Sequence, residues 1–257
     1  MMFRNSIVAV ILLVLSQQTL AATVTKSEKL YAGSKTDWMS FIYVVGVIDR
    51  NTPNQVASAL NEIKRHGHDN NGSSIGLSLN SEGGNVEAAI EIGILARNNE
   101  LATWVHPNAV CASACTLTFL GGVVRTMLGR FGIHRPYSTR YNISNADATE
   151  SYDRINKATG AYLAQMNITP RLLEAMNVIP PSEIRWLTES ERNEFGIDGG
   201  DPVYADRKQS EYAKKHGISK GELYRRQQSA SSQCINTGLS IKEMERCYSD
   251  VMDGRRR

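Results

Sequence analysis

Leu77-Ser78-Leu79-Asn80-Ser81-Glu82-Gly83-Gly84 is an apolar, strand-like run that stops on a glycine pair, and an apolar helical stretch over residues 86–96 follows it. Working downstream, Thr103-Trp104-Val105 reads as another strand, and Cys111-Ala112-Ser113-Ala114-Cys115 leads into an apolar helix over residues 114–120. Residues 123–127 and Phe131-Gly132-Ile133-His134 supply more strand. Upstream, the β-branched and aromatic run over residues 38–49 is a buried strand ending at Asp49. Thr52-Pro53 then opens a helix, with Thr52 as N-cap and Val56, Leu60 and Ile63 as its apolar face. Strand and helix alternate, which implies right-handed crossovers and a mainly parallel sheet with helices on its faces. The fold class expected is therefore α/β.

Beyond this block, Tyr152, Ile155, Ala158, Ala161, Tyr162 and Gln165 fall at helical spacing, so residues 147–166 read as one long helix. Thr188-Glu189-Ser190-Glu191 starts a further helix with a capping-box pattern that ends near Gly196. After Gly199-Gly200-Asp201-Pro202 large apolar residues become scarce, and a boundary is placed there. The division expected is an export signal over residues 1–22, a main domain over 37–200 and a basic helical tail over 201–257. Residues 23–36 show no period and read as a lead-in.

The chain of 257 residues, 41% hydrophobic and 21% charged, is long and apolar enough for a full core. A net charge of +3 is too small to argue for a nucleic-acid partner. Arg4, the apolar run over residues 7–15 and the small residues Ala21 and Ala22 have the layout of a secretory signal. That run is about half the roughly 20 residues a membrane span needs. Export to the periplasm or beyond is expected, with cleavage near Ala21 or Ala22 and no stable membrane span afterwards; an uncleaved N-terminal anchor is the alternative. Four cysteines in an exported chain suit two disulfides, and two local pairs present themselves. Cys234 with Cys247 would staple two tail helices. Cys111 and Cys115 are either a disulfide or two buried thiols. His66 and His68 lie at i,i+2 without a cysteine or carboxylate pattern beside them, so they read as solvent-facing loop residues and no metal is expected.

The chemistry-bearing residues each have a plain alternative. Ser113, just before a helix, is either an N-cap or a nucleophile supported by the backbone amides and the positive end of the helix dipole. Gly83 and Gly84 either form a turn or let a substrate carbonyl approach the backbone, with Ser81 and Asn80 holding the loop. His134, at a strand end, is either a core residue or the base for Ser113.

The order of these pieces resembles the proteolytic subunit of Clp protease, and more closely the exported Clp-protease-like proteins of bacteria, over roughly residues 38–198. The resemblance implies a crotonase-like spiral of ββα units. It also implies a Ser113 nucleophile, a His134 base, oxyanion-hole amides at Gly84 and Ala114, and substrate contact at Gly83. The helix over residues 147–166 would mediate contacts in a homo-oligomer. Two positions depart from the family pattern. Glu82 stands where the family has proline, and Glu183 is the carboxylate nearest to the family's third triad residue, an aspartate. A Ser-His-Glu site, a Ser-His pair whose imidazole is held by a backbone carbonyl, and an inactive site all remain open. A more distant likeness to signal-peptide peptidases, which pair serine with lysine, brings in Lys157, although a surface lysine is the simpler reading. Acyl-CoA chemistry on this fold is disfavoured for an exported chain. The function expected is a periplasmic serine peptidase acting on peptides or unfolded protein without a cofactor or an ATPase. The alternative is a catalytically inactive oligomeric scaffold or binding module of the cell envelope.

Overall fold

The computed structural model describes residues 21–30, 38–66, 74–137, 145–235 and 238–256. Residues 1–20 of the expected signal, His68 and most of its loop lie outside them. Among the described residues no helix is long and apolar enough to cross a membrane.

The architecture is mixed α/β with a mostly parallel central sheet. Strands β1 (Thr23–Leu30), β2 (Trp38–Val45), β3 (Ser74–Asn80), β4 (Ala102–Val105), β6 (Val124–Met127) and β9 (Gly199–Gly200) form one sheet in the order β1-β2-β3-β4-β6-β9. The pairs β2/β3, β3/β4 and β4/β6 are parallel, while β1 and β9 close the edges antiparallel. A second sheet, in the order β5-β7-β8, holds β5 (Val110–Ala112), β7 (Arg130–Ile133) and β8 (Arg185–Trp186). Helices α1 (Thr52–Arg65), α2 (Val86–Asn98), α3 (Ala114–Leu120) and α4 (Asn145–Gln165) each follow a strand or strand pair.

The chain therefore winds in turns that give one segment to each sheet and then a helix. The turn β4, β5, α3 does this, and β6, β7, α4 repeats it. The turn of β3 and α2 is a reduced version, because Ser81 alone bridges to Cys111 of β5. Earlier still, Ile48 bridges to Gly84 between β2 and α1. Each crossover thus ends beside the preceding one, which lines up the short segments before α1, α2 and α3 at one edge. Ile42, Val44, Leu77, Leu79, Ile92, Leu117, Phe119 and Phe131 are all buried between the layers.

Several details differ from the sequence expectation. Residues 23–30 are not a lead-in but an edge strand, registered from Thr23↔Val45 to Leu30↔Trp38. Backbone pairing holds it, its side chains including the Lys26–Glu28 ion pair, so no apolar period betrays it. Helix α1 begins at Thr52 rather than being capped by it, and the Asp49 carboxylate accepts the Thr52 amide and hydroxyl. Helix α5 (Pro170–Asn177), capped by the Thr169 hydroxyl, was not foreseen. The capping box before α6 (Glu189–Glu194) forms as expected, with Thr188 and Glu191 as its partners. After Asp201 come three helices, α7 (Pro202–Lys215), α8 (Lys220–Cys234) and α9 (Ile241–Met252). The Cys234–Cys247 disulfide joins the last two.

Candidate active site

Four of these crossover segments line one cavity of about 730 Å³, and three of them carry the candidate groups. The first leaves β3. Asn80 accepts the Val110 amide on its side chain, and Ser81 exchanges backbone bonds with Val110 and Ala112. The Ser81 hydroxyl accepts the Gly83 amide at 3.1 Å, so these two residues hold the loop as their types suggested. Gly83 and Gly84 follow at φ of 113° and 137°, a region side chains rarely enter. Their lack of Cβ is also a packing requirement. A Cβ on Gly83 would lie 2.6 Å from the Ser113 Cβ, and one on Gly84 would lie 2.1 Å from the Ile48 carbonyl oxygen. The neighbouring groups of this loop are bonded to Ile48, which receives from Asn85 and gives to the Gly83 carbonyl. The Gly84 amide has no partner among the described residues.

The second segment carries Ser113 between β5 and α3. It stands at the N-cap position, yet its hydroxyl makes no capping bond, so the capping explanation fails for it. Its backbone adopts φ 54° and ψ −128°, a strained geometry for a residue with a Cβ that costs of order 1–3 kcal/mol. The surroundings fix it there. The Ser113 amide donates to the Gly132 carbonyl at 2.9 Å, and the Ser113 carbonyl accepts the Thr116 amide and hydroxyl. The Ala114 amide, first of the helix, has no partner among the described residues and lies close against Gly83. A sharp strand-to-helix turn places this serine at the start of α3, where backbone amides and the positive end of the helix dipole can support negative charge.

The third segment follows β7. His134 is only 6% exposed, and its Nδ1 lies 2.9 Å from the Arg135 carbonyl oxygen. A carbonyl only accepts, so Nδ1 is the donor, and in the neutral ring the lone pair is then on Nε2. The Arg135 amide donates to the Ile179 carbonyl, which anchors this corner. Ser113 and His134 line the same cavity without a hydrogen bond between them, and such contacts commonly tighten when substrate arrives.

Glu183 is not brought to this imidazole. It is exposed in the turn after Pro180, while its neighbours Ser182 and Ile184 line the cavity. The position it was expected to fill is taken by the Arg135 carbonyl. Asp49 also lines the cavity, but its carboxylate is spent on the start of α1. Bonding to the Thr52 hydroxyl leads the effects that hold its pKa below the ordinary range. Lys157 is exposed on α4 and does not line the cavity. Among the described residues no group of three or more histidine, cysteine or acidic side chains is placed to hold a metal. Sequence reasoning missed Ile48, which acts through main-chain atoms, and it left a backbone carbonyl open as the holder of the imidazole without naming Arg135 as the source. The one signal for Arg135 was Pro136, since a residue before proline is held extended.

Cys111 and Cys115 form a disulfide that brackets Ser113, which resolves the alternative left open by their spacing.

No family model matches the sequence, and no curated protein does. Among solved structures, the chain is similar to a mutant of ClpP1 from Listeria monocytogenes at 20% identity and a TM-score of 0.45, over 62% of this chain and 88% of that one. It is also similar to a mutant of the 1510-N membrane-bound stomatin-specific protease at 20% identity and a TM-score of 0.46, over 61% of this chain and 75% of that one. At such identity and superposition neither likeness carries weight for function, and the chemistry is read from the groups around the cavity.

Proposed function

We propose that this chain is an exported serine hydrolase that cleaves peptide bonds in peptides or unfolded protein. One observation carries the proposal: a Ser113 hydroxyl that makes no capping bond, held in a strained turn, shares a cavity with His134 and Gly84, and the Gly84 and neighbouring Ala114 amides have no partner among the described residues. Ser113 Oγ attacks the scissile carbonyl carbon and His134 Nε2 takes its proton. The Gly84 and Ala114 amides receive the oxyanion, and His134 returns the proton to the leaving amine. Water then releases the acyl group by the same steps. The Arg135 carbonyl fixes the tautomer and orients the ring, the part a carboxylate plays in a full triad. A placed base contributes about 10²–10⁴ in rate, and one oxyanion donor about 10²–10³. Two disulfides fit an oxidising compartment.

A second reading, an inactive scaffold or binding module, draws on the absence, among the described residues, of a carboxylate bonded to the imidazole. Fluorophosphonate labelling separates the two. Labelling of the wild type that vanishes in Ser113→Ala supports the hydrolase, and a folded wild type that never labels supports the scaffold.

A further inference from the structure

Ser113 is the one residue of the site that has a side chain and a positive φ, and a covalent bond encloses it. Cys111 lies on β5, opposite Phe131 of β7, and Cys115 is the second residue of α3. Their disulfide, with 5.2 Å between the alpha carbons, joins the strand before the strained residue to the helix after it. We infer that this disulfide is a positioning element for the nucleophile, holding the turn so that the hydroxyl faces His134 and the two amides. The inference rests on the serine-hydrolase proposal.

A strained φ persists only where its surroundings over-determine it. Here three non-covalent restraints act: the Gly132 carbonyl on the Ser113 amide, Thr116 on the Ser113 carbonyl, and the surface of Gly83 against the Ser113 Cβ. None of them spans the turn from strand to helix. On the strand side Ala112 is held by its amide on the Ser81 carbonyl and by its pairing with Gly132, which leaves the step into the helix to the disulfide. Without the disulfide, relaxation of Ser113 toward negative φ swings its Cβ and carries Oγ away from the imidazole. Both cysteines are fully buried, so a dithiol reductant has no open approach to the bond in the folded chain. The bond therefore acts as a permanent clamp and not as a redox switch. The tail disulfide, Cys234–Cys247, is enclosed by α8 and α9 and touches none of the groups lining the cavity.

The test compares the mature wild type with C111A/C115A and C234A/C247A, each checked for folding by circular dichroism and melting temperature. The readouts are the rate constant of fluorophosphonate labelling and the kcat and KM for an activated ester. The clamp predicts that C111A/C115A, though folded at the assay temperature, loses tenfold or more in labelling rate and in kcat, with KM within about twofold. C234A/C247A should keep the wild-type rates even if it melts lower. A merely structural disulfide would lower the melting temperature of C111A/C115A and leave both rates unchanged, and that result overturns the inference. Should the double variant not fold, Cys115→Ala is measured in the same way and read by the same outcomes. A folded wild type that does not label overturns the hydrolase proposal itself, and the clamp with it.

Discussion

Gly83 lies so close to Ser113 that a side chain at position 83 has no room beside the Ser113 Cβ. Gly83→Ala places a Cβ 2.6 Å from the Ser113 Cβ, at a φ of 113°. A loss of about 2 kcal/mol in unfolding free energy is expected from urea melts, together with a fall in labelling rate, because the proposed nucleophile is the group displaced. His134→Ala should lower kcat/KM about 100-fold or more. Glu183→Gln should leave it within about twofold, since that carboxylate is exposed and the imidazole is oriented by the Arg135 carbonyl. A loss of 100-fold in Glu183→Gln would mean that the turn after Pro180 folds inward when substrate binds. At this scale the sequence was most informative where identity carries the chemistry. Serine, histidine and paired glycines are visible as residue types, and all of them line one cavity. A carbonyl that orients a ring belongs to no residue type, so the Glu183 assignment filled a place that the main chain already held.

Helices α2, α3 and α4 bring those residues together by packing through glycine. A Cβ on Gly121, just after α3, would lie 2.2 Å from the Gly93 carbonyl oxygen of α2. A Cβ on Gly93 would lie 1.9 Å from the Tyr162 hydroxyl of α4, which donates to the Leu117 carbonyl at 2.6 Å. Burial holds the Tyr162 hydroxyl well above its ordinary pKa, so it stays a donor. Gly93→Ala should therefore cost about 1–3 kcal/mol by overpacking. Tyr162→Phe should cost about 1–2 kcal/mol by stranding the Leu117 carbonyl. Chemical denaturation with unchanged m-values checks both. The long periodic helices were legible because burial imposes their period, and α3 has the bounds its apolar run suggested. Strands β8 and β9 are two residues each and have no period to read. Helix α5 carried its signal in Thr169-Pro170 but is short.

Across the whole molecule, Asp201 ties the tail to the core. Its carboxylate caps α7 through the Tyr204 amide, and it accepts from Arg97 at 2.8 Å and from Asn167 at 3.0 Å. Burial pushes its pKa up, but the hydrogen bonds of Asn167, the Tyr204 amide and Arg97, with the Arg97 charge, outweigh this and leave it below the ordinary range. A carboxyl depressed on folding stabilises at neutral pH, and that contribution fades as pH falls from about 4, its unfolded value, through its lower folded value. Asp198 runs oppositely, because burial raises its pKa despite the Arg192 pair. Comparison with Asp201→Asn isolates the first effect. The variant should be about 3 kcal/mol less stable at pH 7, and its gap from the wild type should narrow in urea melts below about pH 4. Strand and helix alternation made the parallel sheet legible, and the family resemblance supplied the spiral. The single-residue bridges Ser81↔Cys111 and Ile48↔Gly84, which bring the loops to one edge, depend on tertiary pairing that no local pattern encodes. What the winding achieves is the meeting of Ser113, His134 and Gly84 at one cavity, with Ala114 next to the serine, and labelling with an active-site probe tests the proposed chemistry there most directly. Incubated with a fluorophosphonate, the folded wild type should acquire one adduct, located on Ser113 by peptide mass spectrometry, and Ser113→Ala should acquire none. A folded wild type that remains unmodified, or an adduct that persists in Ser113→Ala, would contradict it.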